Sequence, residues 1–113
     1  MWLCLNDAFL SIVDPGKQGP QGGDYLMVRA RVKGDLERVF GPDIKVIMLK
    51  NRDYMFRAFI PREVVAKVIA DRLLSVNYTN FKASVQEYSR HDAYMKIWGI
   101  MHRVQDWLNG KTF

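Results

Sequence analysis

The alternation of apolar and polar side chains is clearest between Tyr25 and Val32, where every second residue is aliphatic or alanine. Side chains of a strand point alternately to its two faces, so this pattern predicts a strand with one core-facing side. The other side of the same strand carries Tyr25, Met27, Arg29 and Arg31. This strand therefore has one apolar face and one face that is basic and partly aromatic.

Three further segments have the composition of strands. Residues 2–13 predict one strand, bent near its middle, that pairs with the Tyr25 strand as an antiparallel hairpin. Residues 44–49 and 54–60 predict a second hairpin around a polar turn. In the last strand, Tyr54, Phe56, Ala58 and Ile60 alternate with Met55, Arg57 and Phe59. Because an unpaired guanidinium is costly in a core, the set with Arg57 is expected on the outer face.

Helical spacing of apolar residues predicts helices in the rest of the chain. A short helix begins with Asp35 as its N-cap and ends at Gly41, and a second helix spans residues 62–74. Asn80 caps a further helical segment. The last helix begins near residue 90, where Ser89 and Asp92 have the spacing of a capping box, and runs to about Leu108.

The resulting order, β-β-α-β-β-α-α-α, predicts an α+β fold. In such a fold a four-stranded, mainly antiparallel sheet carries its helices on one face. With 113 residues, of which 49% are hydrophobic and 26% charged, the chain has the length and composition of one globular domain. We expect a single domain over residues 1–113, with a flexible Gly/Pro-rich loop at residues 14–23.

The net charge and the cysteine content limit which partners and which cellular location we expect for this protein. The net charge of +5 favours an acidic partner, of which nucleic acid is one example. The single cysteine, Cys4, permits no internal disulfide and is interpreted as an inert, buried thiol. No apolar run approaches the ~20 residues of a membrane span, and the first residues lack a signal peptide's basic segment. We therefore expect a cytoplasmic protein without a membrane partner.

The sequence contains little that indicates catalysis. His91 and His102 are eleven residues apart on a predicted helix, roughly 16 Å along its axis, which is too far to share a metal ion. Nucleophile motifs and a complete phosphate-binding loop are absent, so no cofactor and no metal site is predicted. The enzymatic alternative is a metal-dependent nuclease that uses Asp7 and Asp14.

The basic and aromatic outer face of the predicted sheet is the candidate partner-binding surface. Its members are Tyr25, Met27, Arg29, Arg31, Lys45, Met55, Arg57 and Phe59. Arginine, methionine and aromatic residues are enriched in protein interfaces, so this face predicts a protein partner or a homodimer. Arginines and aromatic rings also bind phosphates and bases, so nucleic acid remains the alternative ligand. Both alternatives describe a binding protein without enzymatic activity.

Several sequence segments resemble those of a family of small bacterial and mobile-element proteins with no known activity. They are residues 5–13, 28–31, 34–40, 80–82 and 90–94. The resemblance covers nearly the whole chain and implies a bacterial or phage setting, but it assigns no role to any residue. By analogy with other small mobile-element proteins, it implies an inhibitor or accessory of a bacterial nucleoprotein complex of host defence.

Overall fold

The computed structural model describes residues 1–21 and 23–110. These residues form five strands, namely β1 (Trp2–Cys4), β2 (Phe9–Val13), β3 (Tyr25–Ala30), β4 (Ile47–Met48) and β5 (Phe56–Pro61). They also form four α-helices, namely α1 (Asp35–Phe40), α2 (Arg62–Leu74), α3 (Phe81–Ser84) and α4 (Tyr88–Asn109). The fold is α+β, as the sequence predicts.

All pairings in the sheet are antiparallel, and the strand order is β1-β2-β3-β5-β4. The two predicted hairpins are both present, and β3 and β5 pair in the middle of the sheet. The two edges are short, because β1 has three residues and β4 has two. One face of the sheet packs against α1 and α2 around an apolar core. The fully buried members of that core are Leu10, Val28, Ala30, Leu36 and Ala58.

The predicted first strand is in fact two strands, so the sheet has five strands where the sequence predicts four. The chain reverses at Asn6 and Asp7, and the amide of Leu5 donates to the carbonyl of Ala8 at 2.8 Å. Asparagine and aspartate favour such turns because their short polar side chains bond to nearby backbone. Because apolar residues lie on both sides of the turn, the sequence of residues 2–13 resembles that of one continuous strand. The fourth strand is also shorter than predicted, since only Ile47–Met48 of residues 44–49 pairs.

Asp35 has a different role from the predicted N-cap of α1. The N-cap is Gly34, whose φ of 94° is in the region that favours glycine. Asp35 is fully buried in the first turn, where it accepts hydrogen bonds from the Phe9 amide at 3.0 Å and Arg38 Nη2 at 2.6 Å. These bonds attach the start of α1 to β2.

Ion pairs attach both ends of α2 to loops of the sheet. At its start, Arg62 contacts Asp24 at 2.9 Å and Asp14 at 3.2 Å. At its end, both terminal nitrogens of Arg72 donate to the carboxylate of Asp7, at 2.8 and 3.2 Å. The loop between β2 and β3 contains a 3-10 turn at Gly16–Gln18.

Contacts along the chain divide it into two compact units, Met1–Asn77 and Tyr78–Phe113. In the second unit, Asn80 accepts a hydrogen bond from the Ala83 amide at 3.3 Å, which confirms it as the cap of α3. Phe81 stacks on Tyr94 with ring centroids 5.5 Å apart. The predicted capping box at Ser89 is wrong, because α4 already begins at Tyr88.

Candidate functional site

The register of the sheet places Arg29 on β3 directly opposite Arg57 on β5. Both side chains lie on the face away from the α1 and α2 core, since Val28 and Ala58 of the same strands belong to that core. Like charges directly opposite each other destabilise a pair of strands. This pairing is therefore the least expected feature of the sheet.

Arg57 is buried, with 9% of the residue exposed. Its Nη2 donates to the carbonyl of Tyr54 at 3.3 Å, and its Nη1 contacts the sulfur of Met27 at 3.7 Å. Burial, followed by the nearby charges of Arg52 and Arg29, lowers the pKa of Arg57. A guanidinium stays charged in proteins despite such a shift, so a positive charge is held here in a poorly solvated place.

Neither Arg29 nor Arg57 has a carboxylate within 4 Å in the part of the chain that the structure describes. Arg29 donates from Nη2 to the hydroxyl of Ser11 at 2.8 Å. The Nε atoms of both arginines are buried and lack an acceptor among the described residues. A buried donor without a partner costs about 1–3 kcal/mol, so the fold holds these two groups at an energetic cost.

Tyr54 connects this pair to a third arginine. The Tyr54 ring centroid lies 4.4 Å from Cζ of Arg29 and 4.1 Å from Cζ of Arg31. These are cation–π distances, which stabilise a guanidinium on an aromatic face. The alternation in the sequence predicts that Tyr54 is buried in the core stripe. Tyr54 is indeed buried, but its ring contacts arginines of the outer face instead of joining the core cluster. β5 begins only at Phe56, so Tyr54 lies in the preceding turn, where the period of two does not apply.

Arg31 and Asp53 form the only ion pair between this region's arginines and a described carboxylate. Arg31 Nη1 donates to Asp53 Oδ1 at 2.6 Å and to the Asp53 carbonyl at 2.9 Å. The hydrogen bond raises the pKa of Arg31 and lowers the pKa of Asp53. The Arg31 side chain remains 44% exposed, so the pair is at the surface.

We call this group the arginine cluster. It consists of Arg29, Arg31, Arg52 and Arg57 with the Tyr54 ring and the Asp53 carboxylate. Four guanidinium groups thus face one carboxylate. Arg52 and Arg31 are exposed, Arg29 is half-buried and Arg57 is buried, so the cluster extends from the interior to the surface.

Of the remaining predicted members of the outer face, Met27 and Phe59 lie opposite each other beside the arginine pair, whereas Met55 and Lys45 lie outside the strands. Met27 is buried, which corrects the expectation that this whole face is open, as does the burial of Arg57. Met55 packs against the core, because it precedes β5 in the same turn as Tyr54. Phe59, opposite Met27, and Tyr25 are half-buried. Lys45 is exposed and lies before β4.

The carboxylates considered for a nuclease are held by arginines. Asp7 binds Arg72 through both of its oxygens, and Asp14 binds Arg62 and the amide of Gly16. Arg62 and Arg72 stand at opposite ends of α2, roughly 15 Å apart along its axis. Within residues 1–21 and 23–110, His, Cys, Asp and Glu form no group of three able to hold a metal ion.

Cys4 is half-buried, and this burial raises the pKa of its thiol. Since the thiolate is the nucleophilic form, a raised pKa keeps the side chain unreactive near neutral pH. A groove of about 350 Å³ is lined by Val39, Val68, Asp71, Arg72 and Ser75. Its arginine is already paired with Asp7, so the groove offers no free cation from that residue.

The helices in the described ranges are too short or too polar to cross a bilayer. Among known proteins, no family model matches this chain, and neither a curated protein nor a solved structure matches it. The arginine cluster is therefore the feature of this chain whose chemistry indicates a function.

Proposed function

We propose that this protein is a non-enzymatic binding protein that holds an acidic segment of a protein partner on the arginine cluster. One observation carries the proposal: Arg29 and Arg57 lie opposite each other, with no described carboxylate within 4 Å of either and with no acceptor for either Nε among the described residues. Such an arrangement costs stability, and a contact with an anionic ligand would supply the acceptors that the described residues lack.

The chemistry of the cluster favours an anionic ligand. Its four guanidinium groups exceed its carboxylates by three charges, and Arg31 and Arg52 present theirs at the surface. The planar fork of arginine matches a carboxylate with two parallel hydrogen bonds. Arg57 lies beneath them and adds positive potential without needing to touch the ligand. Acidic side chains of a partner would therefore contact Arg31 and Arg52 first.

The burial of Tyr54 and its contacts with two arginines favour a protein partner over a single-stranded nucleic acid. Proteins that bind single strands stack bases on free aromatic faces. The Tyr54 ring is 5% exposed and is already in contact with two guanidinium groups. It is therefore not a platform for a base, and the cluster offers carboxylate or phosphate contacts only.

The resemblance noted in the sequence suggests a class of partner. Proteins of mobile elements include small inhibitors and accessories of bacterial nucleoprotein complexes of host defence. Such complexes have protein surfaces that carry acidic residues, and the cluster would dock on one of them. In this proposal the protein acts in the cytoplasm by occupying a surface rather than by catalysis.

The proposal is tested by following the backbone amide and arginine Nε signals in NMR spectra during titration. The probes are a decapeptide of alternating Asp and Glu and an oligothymidylate with the same number of negative charges. At physiological salt we expect the peptide to shift Arg31, Arg52 and the Nε signals of Arg29 and Arg57 in a saturable manner. Peptide binding should be lost in the double variant Arg29→Gln and Arg31→Gln.

Two single variants complete the design. Arg62→Gln removes an arginine elsewhere on the surface and should leave peptide binding unchanged. Asp53→Asn removes the cluster's carboxylate and should tighten binding roughly two- to fivefold, since an exposed charge pair is worth up to about 1 kcal/mol. Absence of a saturable shift, or equal losses in Arg62→Gln, would overturn the proposal. Tighter binding of the oligothymidylate, with a steep dependence on salt, would assign the cluster to nucleic acid.

A further inference from the structure

We propose that α4 is the contact helix of a homodimer, in which the apolar face of α4 packs against the same face of a second copy of this chain. This inference is independent of the arginine cluster, which belongs to the other compact unit. It concerns the second half of α4, whose side chains are apolar on one side and exposed.

The spacing of apolar residues along α4 is that of a helix that packs on another helix. Tyr94, Ile97, Met101, Val104 and Leu108 follow one another at intervals of three, four, three and four residues. This is the spacing that places side chains in one seam between two helices. An α-helix turns by about 100° per residue. On this geometry Ile100 and Trp107 border the seam on one side, and Trp98 borders it on the other. The apolar face therefore covers about half of the helix circumference.

Tyr94, at the start of the seam, is buried, whereas most of the face from residue 97 onward is exposed in the part of the chain that the structure describes. Trp98 is 52% exposed, Met101 57%, Trp107 59% and Leu108 81%. Within its unit, α3 contributes the Phe81 ring to Tyr94 and the Lys82 ammonium to Trp98, and both contacts are at the first part of the seam. Ile97 and Ile100 are 38% and 50% exposed, so the exposed side chains of this face amount to somewhat more than three whole ones. At about 200 Å² for a large side chain, the exposed apolar area is about 700 Å² per copy.

That area matches what an association of two copies needs. A stable protein interface buries about 800 Å² on each partner. Single exposed apolar residues are normal, but a contiguous patch of this size on one helix marks an interaction site. The face is therefore large enough to serve as a specific contact between two copies.

The distribution of charge identifies a second copy as the occupant. The charged residues of α4 from residue 92 onward are Asp92, Lys96, Arg103 and Asp106. All four lie on the side opposite the seam, and Lys96 pairs with Asp92 there at 3.2 Å. The borders of the seam are neutral, so two identical faces meet without like-charge repulsion.

The same charges argue against a membrane surface. Helices that lie on membranes are rich in Lys and Arg on the polar side, which attracts anionic lipids. In α4 from residue 92 onward, two acidic and two basic residues cancel on that side. The face thus lacks the electrostatic attraction that would draw it to an anionic bilayer.

The test is the mass of the 113-residue chain in solution, measured by sedimentation equilibrium over a concentration series. The wild type should approach twice the chain mass of 13.2 kDa as concentration rises. Met101→Glu puts a charge in the middle of the seam and should leave a monomer at every concentration. Leu108→Glu, at the end of the seam, should weaken the dimer at least tenfold.

A matched control uses the same substitution on the polar side of the helix. Met95 is 38% exposed and lies away from the seam, so Met95→Glu should dimerise like the wild type. Far-UV circular dichroism of each variant checks that α4 remains folded. A wild type that stays monomeric, or a Met101→Glu variant that still dimerises, would overturn the inference. Monomeric wild type that floats with phosphatidylcholine vesicles would assign the face to lipid instead.

Discussion

Arg57 is buried on a central strand, and its Nε–H group lacks an acceptor among the described residues. Replacement of buried charges by apolar residues of similar size often leaves stability unchanged or increases it. We interpret the retained guanidinium as serving binding at the expense of stability, a common compromise at functional sites.

The variant Arg57→Met tests this interpretation. We expect it to raise the free energy of unfolding by about 1–3 kcal/mol, because a desolvated charge and an unpartnered donor are both removed. Urea denaturation measures the change. The same variant should lose affinity for the acidic decapeptide.

Arg62→Met serves as the comparison for stability. It breaks two exposed ion pairs and should change the free energy of unfolding by no more than about 1 kcal/mol. If Arg57→Met is less stable than the wild type by more than that, the guanidinium supports the fold, and its proposed role in binding loses its main argument.

The Arg31–Asp53 pair makes the cluster sensitive to acid. Arg31 lowers the pKa of Asp53, so the pair contributes stability above the ordinary aspartate pKa of about 3.9. That contribution disappears as the pH falls through the lowered pKa and the carboxylate gains a proton. NMR titration of the Asp53 carboxyl should show a pKa below the ordinary value. In Arg31→Gln it should return toward that value, whereas an unchanged pKa would show that the ion pair does not form in solution.

At the scale of elements, the strands and helices with regular patterns are predictable from the sequence. β3, the body of α2 and the end of α4 at Gly110 follow from alternation, helical spacing and C-terminal glycine. Each depends on a local pattern that tertiary packing reinforces. The site is less predictable, since the opposition of Arg29 and Arg57 follows from a register that no local signal specifies.

The predictions from the sequence that the structure corrects lie where a pattern of alternating apolar and polar residues ends. The turn at Asn6 and Asp7 is flanked by apolar residues on both sides, so two strands resemble one bent strand. Tyr54 and Met55 continue the alternation of β5 into the turn before it, where side chains no longer alternate between the faces. The polar turn at residues 51–53 is recognisable in the sequence, but it does not specify at which residue β5 begins.

Gly34 gives a prediction about the start of α1. Its φ of 94° is strained for other residues, and an added Cβ would lie 3.3 Å from Nη1 of Arg38. Gly34→Ala should therefore lower the free energy of unfolding by about 1–2 kcal/mol, measured with urea. Gly99→Ala is the comparison, because Gly99 lies within α4 with open space around its Cα. That change should raise helix stability by up to about 1 kcal/mol, and equal losses in both variants would contradict the argument.

At the scale of the whole molecule, the principal apolar core is confined to the first unit. Every residue of that core lies between Leu3 and Ile69, within Met1–Asn77. A segment with its own core is able to fold alone. Both attachments of α2, through Arg62 and Arg72, are also internal to this unit.

We therefore expect a fragment of residues 1–77 to fold cooperatively. Circular dichroism and urea denaturation should show sheet structure that is lost in a single transition. The fragment should remain monomeric where the full chain dimerises, since it lacks α4. A fragment that is unfolded under native conditions would show that Tyr78–Phe113 is required for the first unit to fold.

The short strands at the two edges of the sheet determine how copies of this protein meet at high concentration. An exposed edge strand is a template for further strands, and long edges lead to amyloid-type stacking. Here the edges offer only the three residues of β1 and the two of β4, too few to recruit another chain into a continuous ladder. Crowded copies thus have little exposed backbone through which their native sheets can pair, and association through the proposed α4 contact would end at a closed pair.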